Sequence, residues 1–352
     1  MSVDAAPPVR FMVRLPQTHC FGNPDGMSRV AEAAEELGFW GISVQDHLIT
    51  DAAVSYCRDN HVAGGEDRIV FEALQTLAFV GARTDTVRLV TGVLITPLRN
   101  AILLAKEIAS LDVFSSGRLI VGVGVGAPVK AVLSDEGAQN LSAHARIART
   151  EFEAIGMVGH RGRIADESLE VMEAIWADDA ATFHGTYYDF TDLAVYPKPA
   201  QRPRPPLWVG GRSDAARRRV MTRADAWFPS QISSEMYADG VAWMRAFAAA
   251  NDVDMPVDFG VNLFAAIDAD GDRARAANKA TFGRRFTPDW LSKVTLGGDP
   301  DEVIAQIRSY VGAGVNVVDL KLVPPTLSET LEQMRLVASD VMPAFAHGAR
   351  SR

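Results

Sequence analysis

Cysteine is nearly absent: Cys20 and Cys57 are the only two in 352 residues, and they lack the CxxC spacing of a redox or zinc site. A disulfide scaffold is excluded, and a reducing compartment fits. Charge is not concentrated either, since 35 Lys and Arg against 44 Asp and Glu leave a net charge of −9 with no basic stretch able to track a phosphate backbone. No nucleic-acid partner is expected. No apolar run reaches the roughly 18 residues of a membrane span, and the first ten residues lack the basic flank and apolar core of a signal peptide. A cytoplasmic protein with no membrane partner is therefore expected. Also missing are GxSxG, GxxxxGK[ST] and HExxH, the last despite seven histidines. Hydrolase and zinc-enzyme readings lose ground, and no metal site is expected.

What is present is an ordinary globular composition, 48% hydrophobic and 22% charged. At 38.0 kDa the chain can bury a large core, because surface scaling gives about 14,000 Å² folded against about 55,000 Å² unfolded. Short β-rich runs then alternate with segments of helical spacing. VRFMVRL (9–15) precedes a helical segment at 27–37, FWGISV (39–44) precedes 69–82, VRLVTGVLI (87–95) precedes 101–114, and RLIVGVGV (118–125) precedes 166–176. The stretch 178–206 breaks the rhythm with a hairpin-like FHGTYYDF and a proline-rich run, and reads as an ornament. PLWVGG (206–211), DAWFP (225–229), VDFGVNLFAAI (257–267) and VNVVDLKLV (315–323) complete the strands, each followed by a helical segment. One of those helices carries Asp299 as N-cap and Pro300 at its first position. Eight such units predict an α/β fold, a (β/α)8 or TIM barrel, as one domain over 1–352, rather than a doubly wound sheet. Chemistry is then expected in the loops after the strands.

Strand two ends in Gln45, Asp46 and His47, a carboxylate beside the side chain that titrates near neutrality. The pair reads as an acid/base position, or as a structural histidine beside a turn-capping aspartate. Strand three holds Thr91, Gly92 and Val93, where a glycine inside a strand marks either close packing or the approach of something flat to the backbone. GVGVGA matches the dinucleotide fingerprint through Gly122, Gly124 and Ala127, but Pro128 follows and 143–155 reads as helical, so a nicotinamide-binding fold is rejected. Strand five ends in Gly210, Gly211, Arg212, Ser213 and Asp214 and runs into a helix. Free backbone N–H groups, a positive dipole end, a hydroxyl and a guanidinium meet there: an anion site, or a glycine turn with a Ser or Asp N-cap.

Four segments carry a resemblance: AEAAEELGFWGISVQDH; VRLVTGVLITPLRNAILLAKEIASLDVFSSGRLIVGVGVG; EFEAIGMVGHRGRIADESLEVMEAIW with FHGTYYDF; and PPLWVGGRSDAARRRVMTRADAWFP. From about residue 11 to 345 the chain resembles the bacterial luciferase-like monooxygenase superfamily, in particular its coenzyme F420-dependent branch. The resemblance implies an insertion near strand seven, and a flavin-like ring on a bulge held by a cis peptide at Gly92–Val93, while this sequence itself carries further insertions after strands two and four. Thr91, Gly124 and the Gly210, Gly211, Arg212 and Ser213 group would complete the cofactor site. It implies hydride transfer between F420 and a small organic substrate, with His47 and Asp46 as the catalytic pair, Asp46 orienting His47. The alternative is an FMN-dependent monooxygenase that uses dioxygen and a separate flavin reductase. Relatives are commonly homodimers.

Two departures bear on the substrate. Val125, Gly126 and Ala127 stand where oxidisers of sugar phosphates carry a glutamate, and 128–150 is an extra stretch expected to line the pocket, together with Tyr56, Cys57 and His61. Arg284 and Arg285 could hold the cofactor's acidic tail or be solvated surface charges.

Overall fold

The alternating runs fold into a closed ring of parallel strands wrapped by helices, in a computed structural model that describes residues 8–17, 21–49, 70–126, 150–156, 160–283, 286–323 and 326–346. The strands are β1 (Arg10–Arg14), β2 (Gly41–Val44), β3 (Arg88–Thr91), β4 (Leu94–Ile95), β5 (Leu119–Gly124), β6 (Ala181–His184), β7 (Asp189–Leu193), β8 (Leu207–Val209), β9 (Ala226–Trp227), β10 (Asp258–Ile267), β11 (Thr295–Gly298) and β12 (Val317–Leu322). The ring runs β1-β2-β3-β5-β8-β9-β10-β12 and closes back on β1, every pairing parallel, which is the expected eight-stranded barrel. The helices are α1 (Pro24–Glu36), α2 (Ala73–Gly81), α3 (Ala101–Phe114), α4 (Arg161–Ala177), α5 (Asp214–Arg223), α6 (Ser234–Asn251), α7 (Gly271–Phe282), α8 (Pro288–Val294), α9 (Pro300–Gly312) and α10 (Leu327–Leu336).

Local chemistry explains where these elements begin. Asn23 accepts the N–H of Gly26 at the start of α1 with Pro24 behind it, and α9 opens with a capping box between Asp299 and Glu302. Each such cap satisfies N–H groups that the first helical turn leaves without an internal acceptor. The run read as one strand over 87–95 is two, β3 and β4, because the backbone kinks at Gly92–Val93. β6 and β7 form the antiparallel hairpin expected in the ornament. Beside the long β10, the segment with α7, α8 and β11 supplies the insertion near strand seven, β11 pairing with the end of β10 from Phe264 to Ile267.

Alternation along each strand sorts side chains between two cores. Phe11, Val13, Ile42, Val44 and Leu89 face the helices and are buried with Leu77, Leu104 and Ile108, each side chain contributing about 1.5–3 kcal/mol when fully buried. The barrel interior holds Met12, Val90, Ile120, Trp208, Ala226, Phe228 and Val317. At the N-terminal end Arg10 pairs with Asp258 and lies over Trp40, whose ring stacks on Trp208 at 6.0 Å. Towards the C-terminal end the interior turns polar, with Arg14, Ser43, Asn262 and Asp319. Among the described residues no helix is long and apolar enough to cross a membrane.

Candidate active site

The polar layer supports the kink in strand three. Arg14 donates to the Gly92 carbonyl at 2.7 Å and lies 3.3 Å from buried Asp319, which also accepts from Ser43 Oγ and from Asn262 Nδ2, both at 2.8 Å. Burial pulls the Arg14 pKa below its ordinary value despite the pull of Asp319 the other way. Above this layer the Gly92–Val93 peptide is cis, and the Gly92 N–H donates to the Val44 carbonyl at 2.6 Å, tying the kink to the end of β2. A Cβ at Gly92 would lie 3.0 Å from an Arg14 nitrogen and 3.2 Å from the Phe228 ring, so the position has little room for a side chain.

Val93 places its side chain among the other glycines. A Cβ at Gly124 or Gly210 would come within 2.8 or 3.2 Å of it, which accounts for glycine at the ends of β5 and β8, while a Cβ at Gly122 would meet the Thr91 carbonyl oxygen at 2.0 Å. Gly92, Val93 and Gly124 keep partial exposure, while Gly210 is buried. Thr91 is fully buried and its hydroxyl donates to the Gly122 carbonyl at 2.8 Å, which places that hydroxyl in the barrel wall.

The strand-two pair separates. Buried Asp46 accepts from the Ile95 N–H at 2.8 Å and from Arg99 at 2.9 Å, holding the far side of the kink. Desolvation raises its pKa against the opposing pull of Arg99 and the Ile95 N–H. Asp46 is the residue expected to orient His47; the carboxylate beside His47 Nδ1 is instead that of Glu151, at 3.2 and 3.3 Å. The geometry is the cause: Asp46 is directed to β4 and Arg99, whereas Glu151 enters from a helical turn at 150–154. EFEAIG shows this glutamate in the sequence, but 104 positions separate it from His47 and no local spacing joins them.

The strand-five end meets the same region through the contact of Gly210 with Val93. Gly211 turns with φ +99°, its carbonyl accepting from Trp227 Nε1 at 2.9 Å. Ser213 is the N-cap of α5, its Oγ accepting from the Ala216 N–H at 3.2 Å, so one of the two readings of this serine is met. Asp214 and Ala215 stay exposed in the first turn, with N–H groups that have no intrahelical acceptor and a positive dipole end behind them. Arg212 flanks the turn, its guanidinium donating to the Gln231 carbonyl at 2.5 Å. This cradle suits a phosphate in charge and donor set.

Sequence reading missed Lys321, although a lysine inside the apolar run VNVVDLKLV was a signal. It follows Asp319 on the inner face of β12, nine-tenths buried, with Nζ 3.5 Å from Gln45 Oε1 and lying over the Phe264 ring. Gln17 accepts from the Gln45 N–H at 3.0 Å and donates to the Phe71 carbonyl, fixing that end of strand two. Cys20, Tyr56, Cys57, His61, Ala127, 128–149, Arg284 and Arg285 lie outside the described residues. Among the described residues no cluster of side chains is arranged to hold a metal ion.

A family model described as luciferase-like monooxygenase matches residues 9–289. An FMNH2-dependent dimethylsulfone monooxygenase of Pseudomonas putida is 33% identical over 226 residues, covering 63% of this chain and 52% of that relative. An F420-dependent glucose-6-phosphate dehydrogenase of Amycolatopsis mediterranei is 24% identical over 83% of this chain and 87% of its own length. Among solved structures, a monooxygenase, RslO1, from Streptomyces bottropensis superposes with a TM-score of 0.76 at 23% identity, covering 96% of this chain and all of that one. The relatives thus divide between flavin and deazaflavin, and a flavin-type cofactor is common to both.

Proposed function

The chain belongs to the luciferase-like monooxygenase family, and from that premise we propose that it passes a hydride between coenzyme F420 and a small organic substrate, with His47 as the acid/base group. The observation that carries this reading is the convergence at the barrel mouth. His47 sits on a buried carboxylate at the end of β2, tied to the Gly92–Val93 kink, and the kink meets the anion cradle through Val93 and Gly210. Gly92, Val93 and Gly124 would face the ring, and Gly210, Gly211, Arg212 and Ser213 with the first turn of α5 would hold the phosphate. A deazaflavin bound there supplies hydride transfer without oxygen.

The chain's own part is to manage the charge that hydride movement creates on the substrate. An imidazole braced by a carboxylate takes or returns that proton, a contribution of about 10²- to 10⁴-fold in rate. Arg14 and Asp319 keep the Gly92 carbonyl turned into the barrel, and Asp46 with Arg99 anchors β4, so Asp46 serves the site through the backbone. Val125 and Gly126 bring no carboxylate to the end of β5, which argues against a sugar phosphate and for a smaller alcohol, ketone or activated alkene. A homodimer in the cytoplasm, with the whole chain as one domain, completes the reading.

The 33% identity to an FMNH2-dependent enzyme favours a second reading, FMN-dependent oxygenation supplied by a separate flavin reductase. An anaerobic screen tests the choice. Purified protein with oxidised F420 and secondary alcohols, or with reduced F420 and ketones and enones, should show substrate-dependent change in the F420 absorbance under argon. Oxygen uptake with reduced FMN, without that change, would overturn the hydride-transfer reading.

A further inference from the structure

Glu151 is fully buried, and all of its recorded contacts converge on one short stretch. Its Oε1 accepts the N–H of Leu48 at 2.5 Å and of Ile49 at 3.2 Å, and both carboxylate oxygens face His47 Nδ1. The next residue plants the turn: Phe152 is buried, the Arg161 guanidinium lies 4.9 Å over its ring, and a Cβ on Gly126 would meet that ring at 3.0 Å. A carboxylate out of water is costly unless hydrogen bonds and an opposite charge compensate it. Two backbone N–H groups supply part of that compensation. With Glu151 ionised the rest comes from the imidazole through an Nδ1 that carries hydrogen, because a lone pair there would face two carboxylate oxygens.

We propose that Glu151 is the positioning residue of the site: it fixes His47 as the Nδ1–H tautomer, so that Nε2 is the nitrogen that exchanges a proton with substrate. The proposal rests on the reading of His47 as the acid/base group. Asp46 is directed elsewhere, its oxygens accepting from Ile95 and Arg99. Partners of this kind, which orient a working imidazole through its other nitrogen, typically change activity by about 10- to 100-fold when removed.

The test begins with the ring ¹⁵N spectrum of His47 in the full-length protein, assigned by its loss in His47→Ala. Hydrogen on Nδ1 is expected at a pH where the ring is neutral, and hydrogen on Nε2 would overturn the proposal. Glu151→Gln keeps an acceptor for Leu48 and Ile49 but removes the charge, and is expected to mix the two tautomers while leaving F420 affinity unchanged. An unaltered tautomer in that variant would also overturn it. On a substrate from the anaerobic screen, Glu151→Gln should lower kcat about 10- to 100-fold with KM held, and add nothing in a His47→Ala background. An equal loss in that background would show a purely structural role. Should His47→Ala retain full turnover, the catalytic reading fails while the ring spectrum still decides what Glu151 does.

Discussion

Two glutamates do the same local work at opposite ends of the barrel. Glu35, at the end of α1 on the N-terminal side, accepts the N–H groups of Asp85, Thr86 and Val87 and the Thr86 hydroxyl. Glu151, at the C-terminal side, accepts the N–H groups of Leu48 and Ile49. Glu35 is part-exposed and its partners are backbone and one hydroxyl; Glu151 is fully buried and adds an imidazole. The same pattern extends outward. At the N-terminal end Arg118 donates to the carbonyls of Gly81, Val87 and Ser115 and knits loops together. At the C-terminal end Arg14 bridges a buried carboxylate and the one carbonyl at the kink. Charge at the N-terminal end holds loops; charge at the C-terminal end holds the candidate site, on the face where barrels of this kind do their chemistry.

Removing one group from each end sharpens the contrast, and the effects should descend in order. His47→Ala should lower turnover by about 10²- to 10⁴-fold with the fold and F420 affinity intact, as read by steady-state rates beside a melting curve. Full activity would break the contrast at once. Arg14→Met leaves Asp319 buried without its cation and should cost about 3–5 kcal/mol in denaturant unfolding, whereas Arg14→Met with Asp319→Asn, which removes the charge and keeps an acceptor for Ser43 and Asn262, should recover part of that loss. A double variant no better than the single would mean that the pair does not act as a unit. Gly124→Val drives a side chain into Val93 at an overpacking cost to the fold of about 1–3 kcal/mol, and by displacing Val93 from the proposed ring site it is expected to raise the F420 dissociation constant roughly tenfold.

Glu35→Gln should give the smallest effect and leave turnover alone. Partial burial pushes the Glu35 carboxyl up, but the Thr86 hydroxyl and the N–H groups of Thr86, Asp85 and Val87 prevail and hold it at about 2. A pKa lowered by folding stabilises the native state above the ordinary carboxylate range, and that contribution fades as pH falls from about 4.5 towards about 2. Acid unfolding curves should therefore converge for wild type and Glu35→Gln at low pH and differ at neutral pH. Parallel curves at all pH values would contradict the assignment.

Much of this contrast was legible in the sequence wherever it rests on local periodicity. Eight apolar runs gave the barrel, Asp299 and Pro300 marked their helix start, and the Gly210–Ser213 stretch lies at a helix N-terminus. What stayed hidden is non-local. Arg14 and Asp319 meet across 305 positions only because the ring closes, though each was visible as a charge inside an apolar strand. Glu151 reaches His47 from another unit, and the split of strand three depends on a backbone kink that apolar periodicity does not encode.

Under the proposed function a deazaflavin would lie against the Gly92–Val93 kink with its phosphate at the start of α5. Parallel fluorescence titrations of the cofactor-free wild type and Gly124→Val with F420 and FMN test it most directly. Saturable binding of F420, weaker binding of FMN and a clear loss of F420 affinity in Gly124→Val are predicted. Tight binding of FMN alone, or F420 binding indifferent to Gly124→Val, would contradict it.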